Sequence, residues 1–229
     1  MRRLIFFALA LLPITSFAGQ PVELTQEEFK MFRHWQKAMN DPRVEKMKPE
    51  RRNPAIAKDA RFNLKEMEAA IAKGESAGDL KATCEANIKE QLGGTDLGGR
   101  LGMIDVDLSE PHGVAYVQWM NQSQGQLEEE ASLAAVNTAK ACPIVSTITV
   151  WAQDANAPKT RVFQALISQS AAARINEERI KDFADTRFIR LFQGVKNVAQ
   201  GDVIVPEGTE PGAREDGKGG SGGGNAGAP

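Results

Sequence analysis

Residues that carry chemistry are scarce in this chain. Its 229 residues include two histidines, two cysteines and one tyrosine. His34 falls in a helical stretch and His112 in a turn, and a zinc site would need a third ligand at a known spacing. No H-E-x-x-H or G-x-S-x-G pattern occurs, so zinc-peptidase and serine-hydrolase readings have no motif behind them. Gly93-Gly94 and Gly98-Gly99 follow a helical stretch and lack the lysine of a phosphate-cradling loop. They read instead as a helix stop and a flexible junction.

Charge of one sign is missing too. With 28 basic and 30 acidic residues, net −2, the chain has no electrostatic footprint for nucleic acid. Ile56–Ile71 loosely copies the spacing of a DNA-binding helix-turn-helix, with Lys58 and Arg61 close by. Two short packed helices give the same spacing, so DNA binding is not expected. Long apolar runs are absent after the first twenty residues, so the mature chain is expected to have no membrane span.

Those first residues carry the clearest signal. Arg2 and Arg3 precede an apolar run, Leu4–Leu12, and Ser16-Phe17-Ala18 puts small residues at −3 and −1. This is the pattern of a secretory signal peptide over 1–18, cleaved after Ala18. No cysteine follows the cleavage site to take a lipid. The expected location is therefore periplasmic or extracellular, where disulfides persist. An even cysteine count there favours a Cys84–Cys142 bridge. Such a bridge would contribute roughly 4 kcal/mol in the chain-entropy picture. The alternative is two buried free thiols packed as small apolar residues.

Residues 19–97 read as an N-terminal helical segment. Thr25-Gln26-Glu27-Glu28 is a capping box, followed by the stripe Phe29, Phe32, Trp35, Met39. Asn63-Leu64-Lys65-Glu66 opens a helix that Gly74 should end, and Leu80, Cys84, Ile88 and Leu92 mark the next. Residues 98–200 read as an α+β domain with a ββαββα order. Its strands are Met103–Leu108, Val114–Met120, Val145–Gln153 and Thr160–Ser168, with a helix from Gln126 to Ala141 between the pairs. The expected product is a four-stranded, mostly antiparallel sheet backed by helices. Ala171–Val198 repeats apolar residues at helical spacing, with a break near Asn176. Residues 201–229 are rich in Gly and too polar to bury a core, so a disordered tail is expected.

Candidate site residues are few. Asp105 and Asp107 stand two apart on a strand, so both carboxylates leave one face, with Glu110 and His112 in the next turn. They could bind a divalent cation or act as an acid–base pair. The same alternation is what the solvated side of a half-buried strand displays. Trp119 and Trp151 could form a stacking platform if both faced outward; otherwise they cover a core. No cofactor is implied. The expected function is that of an exported non-catalytic protein that binds another protein or an envelope component. An exported hydrolase or metal-binding protein using Asp105, Asp107 and His112 is the alternative.

Overall fold

Capping residues divide the first part of the chain into helices. In the computed structural model, which describes residues 22–122, 126–180 and 186–204, these are α1 (Gln26–Met39), α2 (Pro42–Glu45), α3 (Pro49–Ala60), α4 (Leu64–Ser76) and α5 (Leu80–Gly93). The expected leader, 1–18, and the tail from residue 205 onward lie outside the described residues. At α1 the Glu28 amide donates to the Thr25 hydroxyl at 3.2 Å, and the Thr25 amide donates to the Glu28 carboxylate at 2.9 Å. Two orphan donors of the first turn are thereby satisfied. Lys73 on α4 donates to the same carboxylate at 2.5 Å and ties the two helices together.

Gly74 does not end α4, as its type and position suggested. The helix runs through it to Ser76, and Gly74 is buried against α1. A Cβ there would stand 2.5 Å from the Phe32 ring, so packing demands the glycine. The left-handed position that stops the chain is Gly78, at φ +66°. Met31, Ile56, Ala57, Met67, Ala70 and Ile71 form a small core among α1, α3 and α4. Phe29 and Phe32, with the α5 stripe Leu80, Cys84, Ile88 and Leu92, belong instead to the larger core under the sheet.

The sheet has five strands: β1 (Leu101–Asp107), β2 (Gly113–Asn121), β3 (Val145–Asp154), β4 (Ala157–Ser168) and β5 (Gln193–Asn197), ordered β1-β2-β3-β4-β5. The α+β class and the helical N-terminal part are as expected, but the sheet is mixed and not four-stranded. β2 pairs with β3 in parallel, because the connection between them is a full helix, α6 (Leu127–Ala141), and not a tight turn. The fifth strand lies within the stretch expected to be helical. Among the described residues there the chain forms the short helices α7 (Gln169–Ala172) and α8 (Glu177–Ile180) and a 3₁₀ turn, Thr186–Leu191. The expected break occurs at Asn176, whose side chain accepts from the Glu178 amide. The backbone groups along the free edge of β4 need partners, and β5 supplies them.

α6 lies on one face of the sheet and is buried on nearly every side. α5 covers it from the N-terminal part, and α7, α8 and the 3₁₀ turn cover it from the C-terminal part. Cys84 and Cys142 are bonded, with Cα atoms 5.1 Å apart, joining α5 to the end of α6. Buried polar groups on α6 find local partners: Thr138 donates to the Ala134 carbonyl and Asn137 to that of Leu133. The Gly98-Gly99 stretch is a short 3₁₀ turn and not a loose hinge. Leu97 before it is fully buried, and Arg100 at its end donates to the buried Glu130 carboxylate at 2.6 Å. Among the described residues no helix is long and apolar enough to cross a membrane.

Candidate functional site

β2 buries every second residue, and the strands beside it follow in part, which gives the sheet two unlike faces. Val106, Ala115, Val117, Ile148, Val150 and Ala165 turn toward α6 and are buried. The alternate residues, among them Asp105, Tyr116, Gln118, Thr149 and Gln164, remain half-exposed on the other face. This second face is the candidate site.

Two devices shape it. The first is a bulge in β4. Ala152 pairs with Phe163 and Gln153 with Arg161, so Val162 is the extra residue. Strict alternation would put Arg161 on the same side as Phe163. The bulge sends Val162 and Phe163 both into the core and re-aims Arg161 to the open face. There its guanidinium carbon stands 5.1 Å over the Trp151 ring, a cation–π contact, and it donates to the Gln164 side chain at 3.3 Å. Tyr116 meets Trp151 edge-on, with centroids 6.3 Å apart. Trp151 is thereby only 6% exposed although it lies on the uncovered face. The second device is Gly102 on β1. A Cβ there would meet the Gln118 amide at 2.7 Å, and its absence leaves room for Gln118 to donate to Gln153 at 2.6 Å.

A cleft of about 680 Å³ opens beside these residues, walled by Tyr116, Trp151 and Arg161 from the sheet and by Arg33 and Lys81 from α1 and α5. Asp105 and Asp107 line it, as their shared face required, but each carboxylate is engaged. Lys81 donates to Asp105 at 2.6 Å, and this contact raises the Lys81 pKa above its ordinary value. Asp107 accepts from the Ser109 amide at 2.9 Å, and its hydrogen bonding to Ser109 holds its carboxyl below the usual range. Glu110 and His112 lie exposed in the bend that follows. Among the described residues no group of three His, Cys, Asp or Glu side chains is placed to hold a metal ion.

The two tryptophans do not form a platform together. Trp119 is fully buried on the covered face, tilted against Phe163. Its indole donates to Glu130 at 2.6 Å, and Asn121 donates to the same oxygen at 3.2 Å. With Arg100 on the other oxygen, Glu130 is a buried anion whose partners come from β2 and the turn before β1. Arg161, Arg33, Lys81 and Glu130 gave no signal in the sequence, since each depends on a partner far along the chain or on the bulge. The sheet edges are less open than the face. Glu85 on α5 accepts from the outward Val106 amide of β1 at 3.1 Å, and β5 is short and irregular, with Gly194 at φ +57°.

Comparison of the chain with protein-family models, with curated proteins and with solved structures returns no match.

Proposed function

We propose that this is an exported, non-catalytic protein that binds another protein or an envelope component through the open face of its sheet. The observation that carries the reading is the set Tyr116, Trp151 and Arg161. A backbone bulge is spent on bringing a cation over an aromatic pair on the face away from α6. Aromatic residues and arginine are enriched where proteins bind one another. Export is supported by the Cys84–Cys142 bridge, which suits an oxidising compartment. The capped β1 edge and the short β5 favour recognition by the face over strand addition at an edge. The reading involves no nucleic acid and no cofactor.

A hydrolase or metal site using Asp105, Asp107 and His112 has less behind it. Asp105 would first have to leave Lys81, and Asp107 its turn. The test is retention of envelope proteins from the source cell on immobilised protein, wild type against the Tyr116→Ala/Arg161→Ala double variant. Components held by the wild type and lost by the variant are expected. Identical retention by both would remove the open face as the binding surface.

A further inference from the structure

The cleft on the open face does not stop at the sheet. A second cleft of about 640 Å³ runs between α1 and the α4–α5 junction, and the two share Arg33, Lys81 and Leu108. The walls of this second part include Phe32 and Trp35, stacked with centroids 6.1 Å apart. The groove thus has an aromatic section at each end and a charged neck between them.

The charges at the neck are unequal in their engagement. Lys81 is paired with both Asp105 and Glu85. Asp79 caps α5 by accepting from the Ala82 amide, and Asp107 is bound to the Ser109 amide. Arg33 differs. It donates to the Gln36 side chain at 2.6 Å and to the Ser109 carbonyl at 2.9 Å, both neutral acceptors. Among the described residues it has no carboxylate in ion-pair contact, and its Nε–H has no hydrogen-bond partner. The guanidinium's own hydrogen bonds all go to neutral oxygens, and its charge also helps to lower the Asp107 pKa; an incoming carboxylate would replace those neutral acceptors, because charge-assisted bonds are the stronger ones.

We infer that the groove receives an extended peptide segment of a partner protein, with an acidic side chain seated on Arg33 and an apolar or aromatic side chain in each flanking section. This rests on the open-face reading and names the partner's chemistry. The occupant is a peptide and not an acidic sugar chain. Sugars stack on open aromatic faces, whereas Arg161 and Tyr116 already cover the Trp151 ring, and Trp35 donates its indole N–H to Asn53 inside the helical part. Side chains entering between rings suit this arrangement better than a pyranose lying flat.

The test uses the full chain with its disulfide formed, and two end-blocked peptides. One has a glutamate flanked by phenylalanines at alternate positions; the other has glutamine in its place. Calorimetry should show the glutamate peptide binding about tenfold more tightly or better, the loss of one charge-assisted hydrogen bond setting the scale. Arg33→Gln, checked for retained fold by circular dichroism, should bind both peptides alike. Equal binding of the two peptides to the wild type would overturn the Arg33 seat. So would discrimination that survives in Arg33→Gln. Binding of oligogalacturonate with no binding of either peptide would overturn the peptide assignment. In each case the retention test with Tyr116→Ala/Arg161→Ala decides the open-face reading separately.

Discussion

The two faces of this sheet are cut from the same strands, yet they share almost no chemistry. On β2, Ala115, Val117 and Trp119 enter the core, while Tyr116 and Gln118 between them face out. On β3, Ile148 and Val150 meet α6, while Thr149 and Trp151 line the cleft. The backbone ladder is common to both faces and cannot distinguish them. What differs is the partner. Aliphatic and small residues let α6 lie close and exclude water, and the buried Glu130 there is partnered by Arg100, Trp119 and Asn121. The open face instead holds amides, hydroxyls, a tyrosine and a re-aimed arginine, polar groups that remain half-exposed. One face is closed over by α6, and the other keeps its polar side chains half-exposed.

That division can be strained experimentally. Trp119→Ala removes a fully buried ring and one bond to Glu130, so urea unfolding should show a loss of roughly 5 kcal/mol. Replacing Cys84 and Cys142 together by alanine should cost roughly 4 kcal/mol, read the same way, chiefly because the unfolded chain is then no longer held in a closed loop. Arg100→Ala leaves Glu130 buried with its charge uncompensated, and should cost roughly 3 kcal/mol. Glu130→Gln in the Arg100→Ala background should recover part of that, since the stranded charge is then gone. On the other face Arg161→Ala should cost about 1 kcal/mol or less, while abolishing retention of the partner. Loss of several kcal/mol from Arg161→Ala would break the comparison, because the open face would then be holding the fold.

The smallest expected effects are pH effects, and they have opposite signs at two first-turn glutamates. The Lys73 hydrogen bond, with those from Thr25, holds the Glu28 carboxyl below its ordinary range. Its contribution is present above the unfolded-state pKa and is lost as pH falls through the lowered folded-state value. Glu28→Gln should therefore flatten the acid limb of a stability-against-pH curve. Burial raises the Glu129 carboxyl instead, helped by Glu128 and Glu130. Its proton is held more tightly in the folded chain, so stability falls as pH rises from the unfolded value through the raised one. Glu129→Gln should gain stability at neutral pH and change nothing in strong acid.

Much of the fold was legible because it is local. The Thr25 capping box, the α5 stripe, the alternation in β1 and β2, and the helix between the strand pairs all lie within short windows of sequence. What escaped depends on distant partners. Gly74 read as a stop because its contact with Phe32 comes from another helix. β5 read as helix because Val195 continues a helical period of apolar residues, while the edge that recruits the strand is on β4. The parallel β2–β3 pairing was available in principle, since a full helix connects those strands. For the site, Asp105 and Asp107 were correctly placed on one face but not their employment by Lys81 and Ser109. Arg161 was hidden by the bulge, which has no signature in the residues that form it.

The division between the faces is tested most directly by photocrosslinking in the source cell. A benzophenone amino acid is placed at Tyr116 on the open face, and separately at Glu178, exposed on α8 beyond the covered side. A discrete adduct at Tyr116 with none at Glu178 is the expected result. An adduct at Glu178 with none at Tyr116 would contradict the account and move recognition to the side of the molecule that α6 and its neighbours cover.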